Sequence, residues 1–144
     1  MLEASGKRVL VGGNIGLPLS AQVEQSTTET VHVVEASSFQ LEATDRFHPW
    51  IAALLNLSAD HLDRHPDAFA YAAAKRRIFA NQQPNDWAVV NAESGEAMQL
   101  AQGIRPRVVR YALEPFPDAQ VFTSRGFVWH RTSEGEVPLL PLAA

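Results

Sequence analysis

The sequence predicts an α/β fold, a mostly parallel sheet flanked by helices and closed by a small antiparallel β meander, and three observations lead there. Short β-branched or apolar runs at 8–11, 31–36, 50–57, 87–91 and 108–112 alternate with helical patterns, as parallel strands joined by crossover helices require. Two of these runs pass directly into polar residues: Val33-Val34 into Glu35-Ala36-Ser37-Ser38-Phe39-Gln40, and 50–57 into Ser58-Ala59-Asp60-His61-Leu62-Asp63-Arg64. After Pro115 and Pro117 the pattern changes to three short runs, 120–124, 126–131 and 137–140, with turns at Ser124-Arg125-Gly126 and Ser133-Glu134-Gly135, which read as the meander.

Taken in order, the first run leads into Gly12-Gly13-Asn14-Ile15-Gly16, where glycine lets the backbone turn and approach a neighbour closely. Past Glu35, Ser37 or Ser38 is placed to cap a following helix. The clearest helix is 67–81, opened by Pro66-Asp67, rich in alanine, and ending with Arg76 and Arg77 where cations suit the helix dipole. The pattern fits one domain over 1–144, with an α/β part at 1–113 and the meander at 118–144. A doubly wound sheet usually opens on a strand and a glycine-rich turn, whereas only a helix remnant precedes Arg8. A phosphate loop of the form G-x-x-x-x-G-K-[ST] set on Gly6-Lys7 would need glycine at Met1 and a hydroxyl residue at Arg8. The first strand and phosphate loop of such a domain are therefore expected to lie outside these residues.

Composition narrows the function. A hydrophobic content of 46% over 144 residues is enough for a real core. The formal charge of −4, with ten Arg and two Lys scattered along the chain, argues against general nucleic-acid affinity. The absence of cysteine excludes disulfides and thiolate metal sites. No apolar stretch reaches the ~18 residues of a membrane span, and the first residues lack the apolar core of a signal peptide. The chain reads as soluble and unexported.

Ligands of parallel α/β sheets bind outside the carboxyl ends of the strands, which singles out Asn14, Glu35 and His61. The glycine-rich segment before Asn14 also fits an ordinary turn. Glu35, at the end of an expected interior strand, must be met by a cation or by donors; Mg²⁺ would serve, and so would a capping arrangement in which Glu35 is merely nearby. The run around His61 reads either as a metal or substrate contact or as a solvated loop. His65 sits beside Pro66 at a helix start, and His32, His48 and His130 read as structural or surface residues. On a continuous helix, Lys75 shares a face with Tyr71, Ala72, Ile78 and Phe79, while Arg76 and Arg77 point elsewhere. Burial there would disfavour its ammonium form and leave a neutral amine; alternatively its stem snorkels and its head stays wet. A buried lysine facing a metal pair could also take up CO₂ and become an anionic carbamate.

Four segments, Gly12-Gly13-Asn14-Ile15-Gly16-Leu17-Pro18, Glu35-Ala36-Ser37-Ser38-Phe39-Gln40-Leu41-Glu42, Asn56-Leu57-Ser58-Ala59-Asp60-His61-Leu62-Asp63-Arg64 and Tyr71-Ala72-Ala73-Ala74-Lys75-Arg76-Arg77-Ile78, resemble in order the central-domain motifs of the Mur ligases. The Ser-Ser-Phe-Gln-Leu-Glu wording resembles the D-glutamate-adding branch. The resemblance implies a bacterial cytoplasmic enzyme of peptidoglycan synthesis. It would use ATP to convert the terminal carboxylate of UDP-N-acetylmuramoyl-L-alanine to an acyl phosphate, which the amine of D-glutamate then attacks. It further implies two Mg²⁺ sites, with Glu35 and His61 at one and Lys75, as its carbamate, serving the other, and substrate contacts from Asn14, Ser37 and Gln40. Both partners of the first step are anions, so metal charge is essential to it.

Members of that family also carry a Gly-Lys-Ser/Thr phosphate loop, an N-terminal uridine-nucleotide domain and a C-terminal domain, none of which is recognisable here. The resemblance thus implies the greater part of a central ATPase domain, inactive by itself. Other readings are a different Mur or folylpolyglutamate-type amide ligase, or a non-catalytic nucleotide-binding or interaction domain. A missing first strand would expose its neighbour's edge and favour self-association. These 144 residues alone are expected to show no metal-dependent ATP turnover in an ATPase assay; measurable turnover would defeat that expectation.

Overall fold

The computed structural model describes residues 1–57 and 64–142. The chain divides into two compact units, Met1–Thr44 and Asp45–Ala144, so the division falls inside the segment that the sequence presents as one α/β part. Each unit has its own sheet.

In the amino-terminal unit, β1 (Arg8–Gly13) and β2 (Thr30–Glu35) pair in parallel, from Arg8 opposite Thr30 to Gly13 opposite Glu35. A 3₁₀ segment, Leu19–Gln25, not expected from the sequence, lies in the crossover between them. Gln22, 2% exposed, carries the packing here: its Nε2 donates to the carbonyls of Val11 at 3.1 Å and Leu17 at 3.2 Å. His32 Nδ1 lies 3.2 Å from Gln22 Oε1, and its Nε2 lies 2.9 Å from Ser26 Oγ. A buried amide so partnered ties the crossover to β1 and to the turn at Leu17. The short helix α1 (Ser38–Glu42) begins with a capping box in which Ser37 and Gln40 bond each other reciprocally. The sequence left the cap open between Ser37 and Ser38; the structure places it at Ser37 and buries Ser38.

The second unit holds a six-stranded sheet in sequence order: β3 (Ile51–Leu54), β4 (Trp87–Asn91), β5 (Arg107–Ala112), β6 (Val121–Ser124), β7 (Phe127–Thr132) and β8 (Gly135–Pro141). Pairing is parallel from β3 to β6 and antiparallel from β6 to β8. The expected meander is present as β6 to β8 and continues the same sheet, because β6 also pairs with β5. Strand β3 is shorter than the apolar run that predicted it. Between β3 and β4 lies α2 (Ala68–Arg76), capped by the Asp67 side chain, and between β4 and β5 lies α3 (Gly95–Leu100), capped by Ser94. The sequence reading missed α3, whose six residues span less than two helical turns.

The long helix read at 67–81 is also corrected. It stops at Arg76 and tightens into a 3₁₀ turn, Arg77–Phe79. The tighter turn moves Ile78 and Phe79 off the α-helical progression and into the core with Ala52, Leu54, Ala88, Val90 and Ala97. Alternate residues of β3 and β4 supply this core, as period-two strands must. A second cluster joins Ala92, Ala112, Ala119 and Phe122, with Phe116 and Trp129 packed against it. Arg131 Nη1 ties down the preceding loop through the carbonyls of Phe116, Pro117 and Ala119 at 2.8, 3.0 and 3.0 Å, while its guanidinium lies 4.8 Å from the Phe122 ring centroid.

Two contacts fix the entry to β3. Gln82, fully buried, donates from Nε2 to the carbonyls of Pro49 and Trp87, each at 2.9 Å. His48 Nε2 lies 2.5 Å from Asp86 Oδ2, which also accepts the Gln83 backbone N–H at 2.6 Å. Replacing Gln82 by Leu removes both hydrogen bonds, and at about 0.5–1.5 kcal/mol each should lower the urea midpoint; an unchanged midpoint would remove Gln82 from this role. The Gln83 amide, and next the His48 side chain, hold the Asp86 carboxyl below its ordinary value of 3.8, against the opposing effect of burial. Its stabilising contribution is complete above that value and is lost as pH falls through the lower folded-state value. Asp86→Asn should therefore flatten the acid limb of a stability–pH curve; an acid limb as steep as the parent's would remove Asp86 from this role.

Candidate functional site

The amino-terminal unit builds its polar rim from the register of β1 and β2. Gly13 lies opposite Glu35, so Asn14, one residue on, meets Glu35 twice: its backbone N–H donates to the Glu35 carbonyl at 2.8 Å, and its Nδ2 donates to Glu35 Oε1 at 2.8 Å. Glycine is required for this approach. A Cβ on Gly13 would stand 2.3 Å from the Glu35 carbonyl oxygen, at a φ of +112°, and one on Gly12 would stand 2.1 Å from the Leu17 carbonyl oxygen. The glycine-rich segment is thus more than a turn, because it lets the two strand ends share hydrogen bonds.

Glu35 departs from expectation in its surroundings. Strand β2 pairs only with β1 among the described residues, and Glu35 is exposed, so solvent reaches the carboxylate. One oxygen is oriented by Asn14, and an oriented carboxylate at a strand end has the chemistry of a hard-cation ligand. Ser37 and Gln40 sit just beyond it but bond each other: Ser37 N–H donates to Gln40 Oε1 at 3.0 Å, and Gln40 N–H to Ser37 Oγ at 3.3 Å. The capping arrangement weighed from the sequence is present, with the Asn14–Glu35 pair beside it.

In the second unit, His61 lies outside the described residues, as does the segment 58–63 that contains it. Glu35 and the strand preceding His61 belong to different sheets. Lys75 lies on α2, half-buried, with its Nζ 5.5 Å from the centroid of the Tyr71 ring. The amine is therefore not sequestered in the core, as a continuous helix would have had it. The buried face of α2 is Tyr71 and Ala74, and a ring face one turn below stabilises the ammonium by about 0.5–1 kcal/mol. His65, 2% exposed, meets the same ring edge-on at 5.3 Å, so Tyr71 orders both neighbours. Among the described residues no group of three or more His, Cys, Asp or Glu could hold a metal.

The sequence reading passed over the carboxyl ends of β4 and β5. Asn91 ends β4 opposite Tyr111 of β5, and the Tyr111 hydroxyl donates to the Leu55 carbonyl, just past β3, at 3.2 Å. Burial, and secondarily the charge of Glu93, push the Tyr111 pKa up from its ordinary value of 10.0, further favouring the hydroxyl donor over the phenolate. The bond straps the exit of β3, the lead into the segment carrying His61. The strand-end rule that selected Asn14 and Glu35 would have selected Asn91; Tyr111 gave no signal because it lies within its strand.

Fold and strand-end groups together define an α/β domain whose candidate chemistry sits at the carboxyl ends of parallel strands. The chain belongs to the Mur ligase middle domain family, whose pattern matches residues 1–137. It is 39% identical over 143 residues to the UDP-N-acetylmuramoylalanine--D-glutamate ligase of Koribacter versatilis, covering 99% of this chain and 32% of the relative. It is 51% identical over 104 residues to the protein of the same name from Anaeromyxobacter dehalogenans, covering 72% of this chain and 22% of the relative. Among solved structures, a UDP-N-acetylmuramoyl-L-alanyl-D-glutamate--2,6-diaminopimelate ligase superposes with a TM-score of 0.67 at 24% identity, over 96% of this chain and 34% of that one. MurF from Acinetobacter baumannii superposes at 0.64 with 16% identity, over 99% of this chain and 34% of that one. These two likenesses concern the fold. The chain spans about a third or less of the length of these relatives.

The close contact at Gly13 gives a direct test. Gly13→Ala combines a disfavoured φ with a clash against the Glu35 carbonyl and should cost about 1–3 kcal/mol, read as a lower urea midpoint. A variant as stable as the parent would mean that the Asn14–Glu35 pairing does not depend on glycine.

Proposed function

We propose that the chain forms the central part of a longer, ATP-dependent amide-forming ligase that joins D-glutamate to UDP-N-acetylmuramoyl-L-alanine in bacterial peptidoglycan synthesis. The observation that carries this reading is the 39% identity across 99% of the chain to a relative named for that reaction, joined to an oriented carboxylate, Glu35, at a parallel strand end. Substrates, ATP and activity are assigned to the longer protein, in the bacterial cytoplasm. Among the described residues no helix is long and apolar enough to cross a membrane.

Within this reading Glu35 and His61 would hold one Mg²⁺, and Lys75, as its carbamate, would serve a second. Glu35 fits, since its carboxylate is exposed and one oxygen is already oriented by Asn14. When bound, Mg²⁺ would offset the charge that two anionic reactants bring together. Asn14 fixes the Glu35 rotamer and contacts substrate. Ser37 and Gln40 also contact substrate, for which Ser37 Oγ and Gln40 Oε1 must share or exchange their capping bonds. Half-burial of Lys75 leaves its amine accessible to CO₂.

The test is made in the full-length protein. Glu35→Gln keeps the Asn14 hydrogen bond but removes the charge, and should lower kcat about 100-fold or more, as loss of a charge-stabilising group does, while raising the Mg²⁺ requirement. Lys75→Arg keeps the cation but cannot form a carbamate, and should be comparably impaired. Lys75→Ala should recover partly with added short-chain carboxylic acids. Full activity of Glu35→Gln and Lys75→Arg would overturn the assignment of these two residues.

A further inference from the structure

A cleft of about 300 Å³ opens in the second unit, lined by Ala73, Arg76, Arg77, Phe79, Ile104 and Arg105, with Ala80 and Gly103. It lies between the end of α2 with its 3₁₀ extension and the loop 101–106 after α3. Those segments lead into the amino ends of β4 and β5, so the cleft is at the opposite end of these strands from Asn91 and from the exit of β3. Its floor is apolar: Phe79 is 3% exposed, and Ile104 packs against the core. Its walls carry guanidinium groups, and no carboxylate lines it.

Arg76 is held in place, its Nε donating to the Leu100 carbonyl at 2.9 Å and its Nη2 to the Gln102 carbonyl at 3.0 Å. Those bonds tie α2 to the end of α3 and draw on two of the five N–H donors of the group. Arg105 is exposed on the facing loop. Helix-dipole complementarity explains cations at the end of α2. It does not explain Arg105, which comes from a different segment and lines the same concavity. Guanidinium groups over an apolar floor are suited to phosphoryl oxygens, which such groups can bind in bidentate fashion.

We propose that this cleft is a binding site for a phosphoryl group, independent of the strand-end site and of the ligase reading. The ligand class is a small phosphorylated anion, whether free inorganic phosphate or pyrophosphate or the phosphates of a nucleotide. Arg105 and Arg76 grip its oxygens, Arg77 adds positive potential, and Phe79 and Ile104 exclude water beneath.

The experiment titrates the ¹⁵N-labelled 144-residue chain with sodium pyrophosphate, against sodium chloride of matched ionic strength, and follows amide shifts. Saturable shifts at Gly103, Ile104 and Arg105 are expected with pyrophosphate and not with chloride. Arg105→Gln should weaken binding at least about tenfold, the loss of one charge-assisted bond, and Arg105→Glu should abolish it; both are exposed changes whose folding is checked by an unaltered melting temperature. An ADP arm separates the sources: equal affinity for ADP and pyrophosphate means that the cleft reads phosphoryl oxygen alone, and tighter ADP binding means a nucleotide source. Absence of saturation below about 10 mM, shifts centred on 12–16, or binding indifferent to both Arg105 variants would overturn the proposal. None of these outcomes bears on Glu35 or Lys75.

Discussion

Because β1 and β2 run parallel with Gly13 opposite Glu35, the two strand ends arrive together, and everything distinctive about the amino-terminal unit follows from that register. A one-residue slip would turn the side chains of β2 over and separate Asn14 from Glu35. Glycines at 12 and 13 permit the approach; any Cβ there would overlap a carbonyl oxygen. The second unit obeys the same constraint, since parallel pairing of β3, β4 and β5 sets the exit of β3, Asn91 and Tyr111 along one edge. In both units the chemistry available at the rim is whatever residues the sequence places where parallel strands stop.

A second device recurs around this frame. Long side chains tie connecting segments to the strands and helices through backbone carbonyls. Gln22 serves Val11 and Leu17, Gln82 serves Pro49 and Trp87, Arg76 serves Leu100 and Gln102, and Arg131 serves three carbonyls of one loop. Unpartnered buried carbonyls are costly, and the short helices leave many residues outside regular ladders. These amides and guanidiniums therefore fix where the connections run, and through them where strand ends and helix termini point.

Two described side chains proposed for the ligase site differ in how they are held. Glu35 is exposed, with one carboxylate oxygen held by Asn14. Lys75 rests on an aromatic face, half-covered and reachable. Neither is locked into a dry core, which suits residues whose proposed partners are an ion and a small gas molecule. Membership of the Mur ligase middle domain family gives these positions their context, while the arginine-lined cleft at the amino ends of β4 and β5 rests on its own geometry.

Much of the fold was legible in the sequence because alternation of apolar runs with helical segments reports directly on local geometry: the strand at 87–91 was read to the residue, and the parallel sheet and the antiparallel strands that follow it were both recognised. Strand-end logic likewise placed Asn14 and Glu35 at strand ends, where the structure pairs them, since residue type and position along the chain suffice for that placement. Sequence could not show that α2 would tighten after Arg76, because that turn is imposed by the packing of Ile78 and Phe79 against β3 and β4. Nor could it show that β6 would join β5, that Glu35 would be solvated, or that Tyr71 would lie beneath Lys75. Each depends on contacts between residues distant in sequence or on which neighbours are present to exclude water. Local pattern encodes where strands and helices can form; which side chains they bury, and how far each helix runs, is settled only when the elements pack.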